Sequence, residues 1–401
     1  MYGVELMIII VATVAQALAG NGQAVSTWGV ITFWRVILGV GIGGDYPLSS
    51  VITAEFATTS RRGAMMAAVF AMQGLGQVSA GIVALIATAA FQNSIRADPA
   101  NLDYVWRIVI GVGAIPGFMA LYYRLTIPET PRYTMDVEQK IEKGARDASA
   151  FIERGAAAGD YTDNIAVARV EGVATRVLFG AAYSWFALDI AWYGLGLNNS
   201  IILNNIGFSG GSDAYTAMFN NAVGNIIITL LGSVPGYWIS VFTIEKMGRK
   251  TIQIMGFTML TILFIILGFG YHAILAKSQA AFIVLYTFAQ IFFNWGPNTT
   301  TFIVPGEVFP TRYRSTAHGI CAASGKLGAI VSQVAFGLLK DIGGSNAWID
   351  HLLEIFAFFM LTGIFSSLLI PETKGKSLEE LSAEMDEIYA GSNHTAAVDP
   401  M

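Results

Sequence analysis

The sequence is poor in what disulfide-stapled, metal-dependent or nucleic-acid-binding proteins rely on. It has one cysteine, Cys321, in 401 residues, so no internal disulfide can form. Its four histidines, His272, His318, His351 and His394, are widely scattered, and none pairs with the cysteine or with another histidine at a metal-ligand or catalytic spacing. We therefore expect no metal, no organic cofactor and no enzyme. Charged residues make up only 13% of the chain, where soluble domains carry about 25%. The net charge of −5 contains no basic run, which excludes nucleic acid as a partner. Near Met1 there is neither a basic n-region nor a small-residue cleavage site, so no cleavable signal is expected. The glycines from Gly39 to Gly44 follow no strand and cannot be a nucleotide loop. Gly39 and Gly43 instead fit close helix packing.

What is abundant is apolar surface. Hydrophobic residues form 54% of the chain and mean hydropathy is +0.56, values that point to an all-α membrane protein rather than a soluble domain. Ten apolar segments stand out, at about 2–20, 28–56, 64–91, 105–127, 177–206, 216–245, 251–276, 280–304, 315–340 and 350–370. The one long connection, 128–176, carries Glu138, Lys140, Glu142, Lys143, Arg146 and Asp147 and reads as polar surface helices. Basic residues cluster on alternate connections: Arg61 and Arg62, the long loop, Lys246 with Arg249 and Lys250, Arg312 with Arg314, and Lys374 with Lys376. The positive-inside rule then makes both Met1 and the C-terminus cytoplasmic. Leu378 to Glu387 has the spacing of a short soluble helix, followed by a disordered end.

A weak duplication runs through these loops. Pro128-Glu129-Thr130 closes span four and Pro371-Glu372-Thr373 closes span ten; Glu55 with Arg61-Arg62 follows span two and Glu307 with Arg312-Tyr313-Arg314 follows span eight. Spans one to four thus match spans seven to ten, leaving spans five and six without partners. The simplest expectation is a six-plus-six protein seen without its first two helices, with a first half at 1–127, a cytoplasmic linker at 128–176, a second half at 177–370 and a tail at 371–401. Parallel repeats of this kind are familiar in secondary transporters.

Glu245-Lys246-Met247-Gly248-Arg249-Lys250, both Pro-Glu-Thr segments and the Glu…Arg connections resemble the sugar-porter-like branch of the major facilitator superfamily. Within it, Gly43-Gly44-Asp45-Tyr46-Pro47-Leu48-Ser49-Ser50, and Gly296-Pro297-Asn298-Thr299 with Pro305-Gly306-Glu307, are similar to the fungal and plant phosphate:proton symporters. That resemblance implies a multi-pass plasma-membrane transporter for inorganic phosphate, coupled to protons and working by alternating access, with no obligate protein partner. The family's acidic residue on its first helix has no counterpart in this chain. A porter of sugars or other small solutes on the same fold, or a phosphate sensor, are the alternatives.

Charges at membrane depth are costly and need a reason. Asp45, Asp189 and Lys326 all fall too deep to snorkel easily, whereas Arg35 lies near an outer end. Trp185, Asp189 and Tyr193 recur at i, i+4 and i+8 on one helix face. Spacing alone fits either an interhelical hydrogen-bond network or a ligand site; the resemblance gives the trio to phosphate. It likewise gives Tyr46 to phosphate contact and Asp45, with Asp189, to proton coupling. Gln73 is an amide that suits an oxyanion donor, although alone such a residue more often glues helices together. Asn298 is read as a further phosphate donor, with Asn294 a weaker substitute, on the expectation that the helix breaks at Gly296-Pro297 and frees backbone groups toward a cavity. Lys326 suits either the substrate or Asp189. The Glu245…Arg249 and Glu307/Arg312 motifs are expected to be latches between the halves.

Overall fold

Backbone amides in hydrocarbon must be satisfied within their own segment, and the chain meets this with helices. A computed structural model describes residues 3–126 and 173–381, apart from 206, 208, 209 and 212. The first set of helices comprises α1 (Val4–Ala17), α2 (Thr27–Phe56), α3 (Arg62–Ala90), α4 (Gln92–Ala97), α5 (Leu102–Val112) and α6 (Ala114–Thr126). The second comprises α7 (Val173–Gly196), α8 (Asn199–Asn205), α9 (Ala214–Ile228), α10 (Val234–Met247), α11 (Arg249–Phe269), α12 (Tyr271–Lys277), α13 (Gln279–Asn294), α14 (Pro297–Val308), α15 (Thr311–Leu339) and α16 (Ile349–Leu368). The 128–176 linker falls almost wholly outside the described residues. So does most of the expected tail helix, of which only a turn from Leu378 is seen.

Among the described residues the ten apolar segments yield eight helices long and apolar enough to cross a membrane, several of them jointed. The first segment yields α1, whose 14 residues fall short of the ~20 that a span needs. The fifth yields α7, whose 24 residues are interrupted by Tyr183, Ser184, Trp185, Asp189 and Tyr193. Longer spans are jointed where helix bonding changes: at a five-residue π turn, Thr229–Ser233, between α9 and α10, and at Trp295-Gly296 between α13 and α14.

The break at Gly296 arises as the sequence suggests, but its consequence differs. The backbone at Gly296 is extended (φ −179°, ψ −138°) and Pro297 opens α14. The carbonyl of Asn294 does not face an open cavity. It accepts hydrogen bonds from the Ser240 hydroxyl at 2.7 Å and the Thr299 hydroxyl at 2.6 Å. Glycine lets the joint sit tightly against α11: a Cβ at Gly256 would stand 2.5 Å from the Gly296 Cα.

In the first set, α1 packs on α2, α5 and α6; in the second, α11 packs on α13, α14 and α16. The most extensive contact joins α7 to α15. Small residues allow it, as membrane helices lacking a hydrophobic drive between them require. Ser332 donates to the Ile190 carbonyl at 2.5 Å, and Gln333 to the Tyr193 carbonyl at 2.7 Å. A Cβ at Gly328 would lie 2.4 Å from the carbonyl oxygen of Phe186. Gly328→Ala therefore pushes two rigid backbones apart, and overpacking of this kind costs about 1–3 kcal/mol. We expect its melting temperature in detergent to fall by several degrees; an unchanged value would mean that the crossing is looser than described.

Candidate functional site

Five of the residues singled out by sequence converge at the α7–α15 crossing. The indole of Trp185 and the carboxylate of Asp189 are 2% and 1% exposed. Gly325 brings the α15 backbone onto this stripe, since a Cβ there would meet Trp185 at 2.5 Å and Asp189 at 2.9 Å. Lys326, the next residue, turns its ammonium onto the stripe. It donates to Asp189 Oδ2 at 3.2 Å and to the Tyr193 hydroxyl at 2.7 Å. The same ammonium lies 4.3 Å from the Tyr193 ring centroid and 5.2 Å from that of Tyr46 on α2. Tyr46 also sits 6.1 Å from Trp185, ring to ring. Asp189 Oδ1 is buried with no hydrogen-bond partner among the described residues. One cation and one half-satisfied carboxylate thus share a small aromatic enclosure between the two sets of helices, open on the side where Lys326 is 39% exposed.

Gln73 and Asn298 are not in that enclosure but in an adjoining polar chain. Tyr237 on α10, fully buried, donates from its hydroxyl to Gln73 Oε1 at 2.8 Å and accepts from Asn298 Nδ2 at 2.9 Å. Asn298 Nδ2 also donates to Asn294 Oδ1 at 2.8 Å. Phe302 connects the two groups: its ring stacks on Phe70 at 4.7 Å and meets Tyr46 at 6.2 Å, and Phe70 meets Tyr237 at 5.9 Å. The sequence reading missed Tyr237. Its only signal was a phenol in an apolar span beside Gly236, where a buried hydroxyl needs a partner. It also missed His318, whose ring packs edge-on against Trp185 and Phe302 and whose Nε2 lies 3.0 Å from the Phe302 carbonyl.

Asp45 faces away from Tyr46, as their 100° separation on a helix allows. Its carboxylate is paired with Arg124 at the end of α6 and accepts from Ser49 at 3.0 Å. Glu5 on α1 stands 3.8 Å from the same guanidinium. Arg35 is exposed.

At one end of the bundle the duplicated motifs pair with each other. Arg62 donates to Glu307 at 2.9 Å, and Arg314 donates to Glu55 at 3.0 Å, so each repeat's acid holds the other's arginine. All four side chains are 0–2% exposed. Sequence had favoured Arg312 for this role; its guanidinium instead lies over the Tyr313 ring. Glu307 also receives Arg249 at 2.8 Å, and Glu245 receives Arg249 Nη1 at 2.8 Å and the Ala64 amide at 3.1 Å. Glu372 of the second Pro-Glu-Thr motif accepts the first amides of α11, from Arg249 at 2.9 Å and Lys250 at 3.0 Å, which suits a carboxylate at a helix N-terminus. Gly248 (φ +93°) makes room for it. At the opposite end Arg96 pairs with Asp213 at 3.1 Å in solvent. Hydrogen bonds from Thr216, and then Arg96, hold the Asp213 carboxyl below the usual carboxylate range.

Residues 2–385 match the family model described as sugar (and other) transporter. The chain belongs to that family. It is 52% identical over 96% of its length to the repressible high-affinity phosphate permease of Neurospora crassa, covering 74% of that protein. To the inorganic phosphate transporter PHO84 of Saccharomyces cerevisiae it is 47% identical over 95% of its length, covering 72% of that protein. Among solved structures it is similar to the major facilitator superfamily proton:xylose symporter XylE bound to a bromodeoxyglucose, with a TM-score of 0.72 at 19% identity, covering 96% of this chain and 82% of that one. The fold is that of the major facilitator superfamily, and the chain is a multi-pass membrane protein.

The latch yields a prediction. Removing one partner of a buried ion pair costs about 3–5 kcal/mol because the other charge is stranded. Glu307→Ala takes the shared carboxylate from Arg62, leaving it the Lys376 carbonyl, and from Arg249, leaving it Glu245, and should open this end of the transporter. A cysteine placed at Ser50, which packs against α14, with Cys321→Ala to remove the native thiol, should then react with a water-soluble maleimide at least tenfold faster. Equal labelling rates with and without the Glu307 change would show that the pairs do not hold the halves together.

Proposed function

We propose that this transporter takes up inorganic phosphate together with protons, across the plasma membrane, by alternating access between two halves related by an internal repeat, with the latch end cytoplasmic. The substrate class is supported chiefly by the phosphate permease of Neurospora at 52% identity. The half-satisfied carboxylate of Asp189 beside Lys326 supports it chemically. A phosphate near neutral pH carries bare oxygens and at least one O–H. Lys326, Tyr46, Trp185 and Tyr193 offer donors and a cation to the bare oxygens, and Asp189 Oδ1 offers an acceptor to the O–H. Sulfate is fully ionised and cannot donate to Asp189. A neutral sugar needs no cation.

Coupling follows from the two ion pairs. An anion entering beside an ionised Asp189 is repelled, so proton and phosphate binding are linked there. Protonation of Asp189 on Oδ2, the oxygen that faces Lys326, releases Lys326 to the phosphate and leaves Oδ1 to accept the phosphate O–H. Protonation of Asp45 likewise releases Arg124, at a point removed from the substrate. Uptake of an anion against an inside-negative potential needs at least one such proton. Binding near the interface of the halves then draws them together around the substrate, the latch opens, and phosphate and protons leave on its side.

Reconstituted uptake tests this directly. Arsenate should compete with phosphate, and sulfate only weakly; equal inhibition by sulfate would remove Asp189 from substrate recognition. Asp45→Asn should abolish accumulation driven by a proton gradient while sparing phosphate counterflow. If that variant still concentrates phosphate, the proton site lies elsewhere and Asp45 serves only to pair Arg124.

A further inference from the structure

The polar chain beside the aromatic enclosure has a fixed direction, and that direction follows from one backbone group. Asn294 Nδ2 lies 2.8 Å from the carbonyl oxygen of Gln290, which can only accept. Asn294 Oδ1 must therefore be the atom turned to Asn298, and it can only accept as well. Asn298 answers with its Nδ2 at 2.8 Å, and the same nitrogen supplies the Tyr237 hydroxyl oxygen at 2.9 Å. Both amide hydrogens of Asn298 are then used. The Tyr237 proton is left to run to Gln73 Oε1, 2.8 Å away. Up to Asn298 each step is dictated by the previous one, because an amide offers two donors at one end and none at the other; at Tyr237 the direction follows because its proton otherwise has no acceptor among the described residues.

Two atoms remain without a protein partner among the described residues: Nε2 of Gln73 and Oδ1 of Asn298. Resting on the phosphate reading above, we propose that Asn294 and Tyr237 are positioning residues that set the site's donor–acceptor polarity. Gln73 is committed as a donor of two N–H groups to bare oxygens, and Asn298 as an acceptor for a phosphate O–H. Asn298 is thereby a second group, with Asp189, that favours a protonated tetrahedral oxyanion over a fully ionised one. This reverses its expected part as a donor. Gln73 sits on α3 and Asn298 on α14, so the two ends of the chain belong to different sets of helices, joined through Tyr237. Gly74 brings Tyr237 against α3, where a Cβ would meet its ring at 2.8 Å.

Transport kinetics separate the two commitments. Tyr237→Phe leaves Asn298 pinned by Asn294 but frees the Gln73 amide to turn. It should raise KM for phosphate and the inhibition constant for sulfate together, by roughly tenfold, as expected for one lost hydrogen bond near an anion, with little change in maximal rate. Asn294→Ala unpins Asn298, whose amide can then present N–H groups. It should raise KM for phosphate to a similar extent while sulfate inhibits no worse, or better. A purely structural role would shift both anions alike in both variants, or lower the maximal rate, and would overturn the assignment.

Melting without any anion tests the polarity independently of the substrate. Gln73→Glu retains the acceptor for Tyr237, carries only the cost of a carboxyl at membrane depth, and should melt somewhat below the parent protein. Asn298→Asp sets oxygen against oxygen at Asn294 and should melt well below it, with part of the loss recovered when Asn294→Ala is added. The opposite ranking, or no recovery, would overturn the polarity even if phosphate uptake is robust. Parent protein that takes up no phosphate but keeps this ranking would overturn the substrate reading alone.

Discussion

A charge inside a membrane protein must be answered by another charge or by several hydrogen bonds, and this constraint organises the molecule. Glu307, fully buried, accepts from Arg62, Arg249 and the Thr373 hydroxyl. Asp189 is answered by Lys326, and Asp45 by Arg124. The answering partner generally lies on a helix distant in sequence, so satisfying the charge fixes which helices meet. Pairs between the two sets of helices, Arg62 with Glu307 and Arg314 with Glu55, determine how those sets close. Pairs within one set, such as Asp45 with Arg124, hold it together as the other moves.

Glycine and other small residues are the complement to this constraint. A charge pair of about 3 Å between helices requires backbones close enough for both side chains to reach. Gly325 and Gly328 bring α15 onto α7, and Gly63 lets Arg249 lie against the start of α3, where a Cβ would stand 2.3 Å from its guanidinium. The low-polarity core between these points is filled by aromatic rings, of which Phe302 is central, touching Phe70, Tyr46 and His318.

Much of the architecture was legible in the sequence, because apolar length and helical spacing are local signals. The Trp185, Asp189, Tyr193 stripe needs only a period of 3.6 residues, and the break at Gly296-Pro297 needs only the two residues that make it. Partner choice was not legible. Asp45 and Arg124 lie 79 positions apart, and nothing near either one names the other. Arg314 rather than Arg312 reaches Glu55 because a helix turns 200° between them, a difference that matters only once the facing helix is in place. Tyr237 was passed over because a single phenol in an apolar span has no periodicity to announce it. Asn298 was identified, yet its orientation depends on a carbonyl eight residues earlier, at Gln290, across a helix break.

The stretch that follows the last span shows what such pairing means outside the membrane. Glu372 binds the start of α11, Thr373 reaches Glu307, and the carbonyl of Lys376 receives Arg62 from the other set of helices at 2.7 Å. Mechanically this segment is a strap, anchored at two points on its own set of helices and tied once, through Arg62, across the joint that must open for the carrier to turn over. Tension or displacement applied to the tail is therefore felt at the gate without passing through the bilayer. A cargo fused beyond residue 381 leaves the strap intact, whereas a truncation directly after α16 removes it.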